Sequence, residues 1–477
     1  MKKLLSTIFL GVLATFTLTS CESDITALNV DAKHPQVLPS ANLMAMGQQQ
    51  QFYYAFTGSV NHNNYRFFVQ QWSETTYTDE VNYDLVTRNQ PRNLFNRLYV
   101  YTLQNYDQAK KNLATEGNTA AVANNKWAAL EIASVFAWEQ AVDSFGDIPY
   151  SQALQASGGQ YAPAYDDAKT IYTDLFKRLD AAIAKITTSE SGYTTGDLVY
   201  GGNMTKWKKL ANSLKLRLAM NLADVDATTS KAMAEAAVTG GVMTADADSY
   251  SLKFDGGTFT NPVYDDLVAS GRYDFVPAKP VIDMMNTKAD PRRAVWFTTV
   301  SGNYVGGVFG SLNPYGNYSH MSSFFLAPNA PANLLSYTEV LFLKAEGAAR
   351  GYNMGGTAAA LFAAAQQASM DENGVSATDA AAYLAANTYD ATNWKRSIGQ
   401  EAWIALFNRA FAAWNFTRRL DNPNLQAPTN SKTTTVPYRM PYSDQEYVLN
   451  KTNVTAAATK IGGDKAETRL FWDKFSN

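Results

Sequence analysis

Three successive stretches place large apolar residues at three- and four-residue intervals, and this periodicity restricts the chain more than any other feature. Residues 124–144 carry Trp127, Leu130, Val135, Trp138 and Val142; residues 166–187 carry Ile171, Leu175, Leu179, Ile183 and Ile186; residues 205–223 carry Trp207, Leu210, Leu214 and Leu218. Such spacing lines one face of a helix and leaves no regular alternation for a strand. The first stretch should stop at Phe145-Gly146-Asp147-Ile148-Pro149, where Gly and Pro terminate helices. Asp166 and Asp167 fall in the first turn of the second, favouring its dipole, and Thr205 is the expected cap of the third, with Lys206, Lys208, Lys209 and Lys215 turned mostly outward.

The pattern returns near the C-terminus, over Leu334–Arg350 before Gly351, over Gly356–Met370 with Leu361, Phe362 and Ala365 inward, and over Gln400–Arg419 with Trp403, Phe407, Phe411 and Trp414. Shorter helical patterns cover Asn42–Gln51 and Leu94–Leu113. Helix pairs of this length predict a mainly α fold built as a tetratricopeptide-like helical-hairpin scaffold. The 34-residue consensus of that repeat is not legible. Between the helical blocks, 241–330 is punctuated by Gly256-Gly257, Asn261-Pro262, Gly306-Gly307 and Asn313-Pro314, and 61–89 is rich in aromatics and amides. Both read as irregular loops, as does the proline-rich stretch from Pro423. Long loops on a rigid scaffold usually carry function.

Residues 1–20 pair Lys2 and Lys3 with an uncharged run, the layout of a secretory signal peptide. They end Leu18-Thr19-Ser20-Cys21, an order similar to the lipobox of bacterial lipoproteins, which makes Cys21 the expected lipidation site and 21–42 a tether broken by Pro35 and Pro39. Acyl chains would anchor the protein without a membrane-spanning helix. Glu22 and Asp24 resemble a weak surface-export signal. The length of the remainder, 43–477, fits two or three domains or one large α-rich unit and does not decide between them.

The formal charge is −3 and the Lys and Arg residues are scattered, which excludes a nucleic-acid footprint. With one cysteine in 477 residues, no intramolecular disulfide, zinc-thiolate site or cysteine nucleophile remains once Cys21 is lipidated. The only histidines, His34, His62 and His320, lack metal-ligand spacing, and no nucleophile elbow, P-loop or zincin motif occurs. No metal or cofactor is expected. Glycoside hydrolysis needs only two carboxylates, and Glu74, Asp79, Glu80 and Asp84 lie near aromatics, so a glycan-cleaving enzyme remains one alternative and a surface adhesin another.

Several motifs carry a family resemblance. They are Gln71-Trp72-Ser73-Glu74-Thr75-Thr76-Tyr77, Phe145 through Tyr150, Trp207 through Arg217, Ser270-Gly271-Arg272-Tyr273-Asp274-Phe275-Val276-Pro277, Asp290-Pro291-Arg292-Arg293, Ser336 through Glu346, and Trp403 through Arg419. In this order the chain resembles the SusD/RagB-like outer-membrane nutrient-binding lipoproteins. The resemblance implies a single α-rich domain over 43–477, with four tetratricopeptide-like helix pairs and a loop-rich ligand-binding side, in a cell-surface protein that is lipid-anchored in the outer membrane. It also implies binding of an oligosaccharide or sometimes a peptide, delivered without chemistry to a SusC-like TonB-dependent transporter. Most matching residues should hold the fold: Trp207 and Trp403 in helical stripes, and Arg217, Arg272, Asp274 and Arg418 as buried ion partners.

A sugar ring offers an apolar face and a fringe of hydroxyls, so its site needs flat aromatics with polar groups at their edges. Two loops supply that mixture. The first offers Trp72, Tyr77, Asp79 and Tyr83; the second offers Tyr304, Asn313, Tyr315 and Tyr318. These residues are the expected ligand contacts, on loops expected to converge on one shallow site.

Overall fold

The computed structural model describes residues 37–474. Contacts divide the chain into two units, Met1–Leu38 and Pro39–Asn477. The expected signal peptide and Cys21 lie outside the described residues, and everything below concerns the second unit.

Among the described residues, eight helices associate as four sequential pairs: α1 (Ala120–Phe145) with α2 (Ala168–Lys185), α3 (Met204–Asn221) with α4 (Ala227–Gly240), α5 (Tyr337–Ala349) with α6 (Ala358–Glu372), and α7 (Trp394–Ala405) with α8 (Ala410–Leu420). This is the helical-hairpin scaffold that the apolar stripes predict. Helix α2 buries Ile171, Leu175 and Leu179 as expected. Its cap is Asp167, whose side chain accepts from the Thr170 amide, one residue earlier than a first-turn position. In α3 the cap is Asn203, accepting from the Lys206 amide, and Thr205 lies inside the first turn. Helix α1 is buried all round from Ala128 to Phe145, because α2, α3 and two further segments, Arg97–Leu103 and Gln104–Leu113, pack against it.

One expected helix is two. Gln400–Arg419 breaks after Ala405, and Asn408 takes a left-handed backbone with φ of 66° before α8 begins at Ala410. The apolar spacing runs on through the turn, which hides the break from periodicity. Conversely, α4, Ala377–Ala386 and Lys451–Lys460 are helices in stretches lacking a strong stripe, and Lys279–Thr287, which buries Val281, Ile282 and Met285, is a helix inside the stretch read as loop.

Buried ion networks tie the pairs together. The Arg217 guanidinium of α3 bonds Glu139 of α1 at 2.9 Å and Glu339 of α5 at 2.7 Å, all three side chains at most 1% exposed. Arg419 of α8 similarly bonds Glu346 of α5 at 2.8 Å and Asn221 of α3 at 2.6 Å. Arg418 is buried but acts through neutral partners, lying 3.4 Å over Trp414 and donating to the carbonyls of Asp143 and Tyr438. No helix among the described residues is long and apolar enough to cross a membrane.

Candidate functional site

A small sheet organises the loops. The strand Trp72–Glu74 pairs antiparallel with Phe275–Pro277, and the Thr75 amide continues the ladder to the Asp274 carbonyl at 2.9 Å. The second loop joins beyond Pro277: Gly307 donates to Pro277 at 2.9 Å and accepts from Lys279 at 2.7 Å. A Cβ at Gly306 would stand 2.6 Å from the Lys279 Cα, so only glycine lets the backbones approach this closely. The Asn313 amide then closes the junction, donating to Ser73 Oγ at 3.0 Å and to the Glu74 carbonyl at 2.8 Å, and accepting from the Val308 amide at 2.7 Å. The two loops therefore meet.

The expected contact residues separate into two groups. Trp72, Tyr83 and Asn313 are buried, at 0%, 1% and 0% exposure. Trp72 packs on Phe275 with Arg66 4.5 Å above its ring, and Tyr83 lies between Phe68 and Phe309 with its hydroxyl accepting from Gln70. These three support the site from below and have no face to offer a ligand. Trp72 lies in a strand buried on both faces, which the loop reading did not include. Tyr304 is half-buried and faces Arg293, 5.3 Å from its ring centre; Tyr318 is half-buried.

Tyr77 stays exposed and Tyr315 half-buried, and Tyr315 gains a partner, Tyr273, to which sequence reading gave no role. Tyr273 is 63% exposed and its ring centre lies 4.8 Å from that of Tyr315, with the planes inclined at 46°. Tyr315 in turn stacks on His320. Tyr77, 37% exposed, lies under the Arg88 guanidinium at 4.7 Å with Arg272 nearby, and Arg272 pairs with Asp274 at 2.6 Å. Arg272 is thus a half-exposed edge group and not a buried ion partner, while Asp274 is buried beneath it. Leu267, Val268, Met321 and Leu326 complete a hollow of about 140 Å³ with Tyr273 and Tyr315. The usable signal for Tyr273 was its place in a polar loop between Gly271 and Asp274.

Asp79 lines an adjoining, more open polar groove with Asn82, Asp84, Asn430 and Lys432, and stands 3.6 Å from Arg88. The candidate carboxylates for hydrolysis are otherwise engaged. Glu74 and Glu80 are buried beside each other, and Glu74 accepts from the Val81 amide at 3.3 Å. Burial first, and the Glu80 charge second, push the Glu74 carboxyl up to about 9. Arg88 holds Glu80 at 2.5 Å, and Asp84 accepts from the amides of Val86 and Thr87. Burial, with Tyr273 second, also raises the Tyr315 phenol, so this ring is an uncharged surface suited to stacking.

Residues 32–443 match the SusD-like family described as starch-binding and associating with the outer membrane. The chain belongs to the SusD-like family. No curated protein matches the chain. Among solved structures, this SusD-like protein is similar to a chitin-binding protein with TM-score 0.81 and 26% identity, over 91% of this chain and 100% of the other. It is similar to a chitin-binding SusD homologue from Flavobacterium johnsoniae with TM-score 0.78 and 26% identity, over 92% and 98%. It also resembles a SusD homologue from Bacteroides uniformis with TM-score 0.79 and 27% identity, over 91% and 99%.

Proposed function

We propose that this SusD-like protein captures an oligosaccharide on the Tyr77–Tyr273–Tyr315 face and passes it, without chemistry, to a SusC-like TonB-dependent transporter. The observation that carries the reading is the exposed Tyr273 ring set against Tyr315. Two inclined rings match consecutive sugar faces that are themselves turned by the glycosidic linkage. Arg272, Arg88 and Asp79 stand at the edge of this face, where they supply charged hydrogen bonds to hydroxyls. Tyr318 and Tyr304 belong to the same loop as Tyr315. A chitin-type oligosaccharide is the first ligand to try, because two similar structures are of chitin-binding proteins.

The reading includes a lipid anchor at Cys21, a tether over 21–42, a single binding domain over 43–477, and a position on the outer-membrane surface. Its non-enzymatic part is supported by the buried, paired state of Glu74 and Glu80, which denies a glycosidic bond and its attacking water access to both.

The test is purification of the anchored protein in mild detergent from cells grown on chitin fragments. Mass spectrometry of co-purifying chains is then combined with binding of chito- and malto-oligosaccharides by calorimetry. A stoichiometric barrel protein, with binding abolished in Tyr273→Ala/Tyr315→Ala, is the expected result. Oligosaccharide cleavage would favour an enzyme, and glycan binding with no barrel partner would favour an adhesin.

A further inference from the structure

Tyr77 stands midway along a loop whose two ends are buried acids. Glu74 closes the strand Trp72–Glu74 and Glu80 opens the turn Glu80–Asn82, with both residues at most 1% exposed. The base of the loop is fixed: the Val81 amide donates to the Glu74 carboxyl at 3.3 Å, and the Asn82 side chain donates to the Thr78 carbonyl at 2.7 Å. Tyr77, between these ends, is exposed.

Arg88 reaches over the loop from the following segment. Its own carbonyl accepts from the Asn93 side chain at 3.0 Å, which seats Arg88 against the helix Gln90–Asn96. Its Nε stands 2.5 Å from Glu80 Oε1, and Nη2 stands 3.6 Å from Asp79 Oδ2. The guanidinium centre then lies over the Tyr77 ring, 4.7 Å from its centroid. With the Glu74 carboxyl raised to about 9, first by burial, the two acids carry at most one negative charge near neutral pH, and Arg88 supplies the matching positive charge.

A guanidinium lying over an aromatic ring is attracted to its face, and its planar shape fixes the angle at which the two meet. Arg88 therefore covers one face of Tyr77 and leaves the opposite face to a ligand. Two of its three nitrogens are directed at carboxylates, so most of its polar edge is spent on Glu80 and Asp79.

We infer that Arg88 is a positioning residue of the tyrosine face. Clamped by the buried Glu80, it holds the Tyr77 ring in the plane in which that ring meets a sugar, and it acts on affinity chiefly through Tyr77. Any hydroxyl bond from its remaining nitrogen adds to that effect. This role presupposes that the Tyr77–Tyr273–Tyr315 face is the capture site.

Calorimetry with chitohexaose and maltohexaose on the detergent-solubilised full chain, in a double-mutant cycle of Tyr77→Ala and Arg88→Met, tests it. Arg88→Met alone is expected to weaken binding about 3- to 10-fold, and to change it by less than about 2-fold once Tyr77→Ala is present. Glu80→Gln, which keeps the shape but removes the clamping charge, should show the same dependence on Tyr77. In ligand-free protein labelled with 3-fluorotyrosine, the signal that Tyr77→Phe deletes should shift in Arg88→Met. An unmoved signal, equal losses from Arg88→Met in both backgrounds, or no loss in either, overturns the inference while Tyr77→Ala itself still weakens binding. Binding of neither sugar by the wild type, or unchanged binding in Tyr77→Ala, overturns the capture face and with it this role for Arg88. If Arg88→Met does not fold because Glu80 is left buried and unpaired, Arg88→Met/Glu80→Gln removes both charges and takes its place in the cycle.

Discussion

The Tyr315 ring lies flat on the His320 imidazole, with centres 3.7 Å apart and planes inclined by 8°, and His320 Nε2 stands 2.9 Å from the Tyr315 carbonyl oxygen. One end of the proposed platform is therefore oriented before any ligand arrives. Immobilising a side chain on binding costs about 0.5–1.5 kcal/mol, and the stack removes part of that cost. His320→Ala is expected to weaken oligosaccharide binding by about 2- to 10-fold with little change in thermal midpoint. Calorimetry on the variant checks this, and unchanged affinity would show that Tyr315 needs no such support.

Trp72 and Tyr273 should behave in opposite ways. Trp72 is fully buried against Phe275 and Arg66, so Trp72→Ala is expected to cost about 3–5 kcal/mol of folding stability. Tyr273 is largely exposed, and its replacement by Ala should leave stability within about 0.5 kcal/mol while reducing glycan affinity. Denaturant unfolding and calorimetry on the same two variants separate the effects.

Glu74 makes stability pH-dependent. Its carboxyl is raised from 4.5 to about 9, chiefly by burial, so between these values the folded chain retains a proton that the unfolded chain has lost. Stability from this group is complete below the unfolded value and falls as pH rises toward the folded one. Glu74→Gln keeps the neutral hydrogen-bonding shape and should flatten the decline. Urea midpoints measured from mildly acidic to alkaline pH give the comparison, and parallel curves for both proteins would refute the assignment.

Arg217 carries a different kind of risk. Arg217→Met leaves Glu139 and Glu339 buried without their shared cation, at a cost of about 3–5 kcal/mol. Burial already pushes the Glu139 carboxyl up to about 8 with Arg217 present. Adding Glu139→Leu and Glu339→Leu should recover much of the loss, because no buried charge then remains unpaired. Chemical denaturation of the single and triple variants tests the recovery.

Asn313 is the joint between the loops. Asn313→Ala removes its bonds to Ser73 Oγ and the Glu74 carbonyl, and is expected to reduce glycan affinity and to speed amide exchange in 303–320 while the helical pairs remain protected. Hydrogen exchange measured by mass spectrometry would show the locality.

The helical scaffold was legible because its information is local. Ile171, Leu175 and Leu179 make one stripe whatever they pack against, and the stripe needs a partner helix to cover it. The turn at Asn408 was not legible, since Trp403, Phe407, Phe411 and Trp414 keep helical spacing across it and the chain reverses between them.

The candidate site divides along the same line. Composition and loop chemistry brought Tyr77 and Tyr315 forward; the first is exposed and the second half-buried beside the exposed Tyr273. They also brought forward Trp72 and Tyr83, whose rings are equally aromatic but face inward, and they passed over Tyr273. By itself the sequence determined a paired-helix scaffold, its family resemblance and the two loops rich in sugar-binding chemistry. Only the tertiary structure decided which aromatic rings face solvent, because that depends on pairing Trp72–Glu74 with Phe275–Pro277, some 200 positions apart, and periodicity within either strand carries no record of its partner.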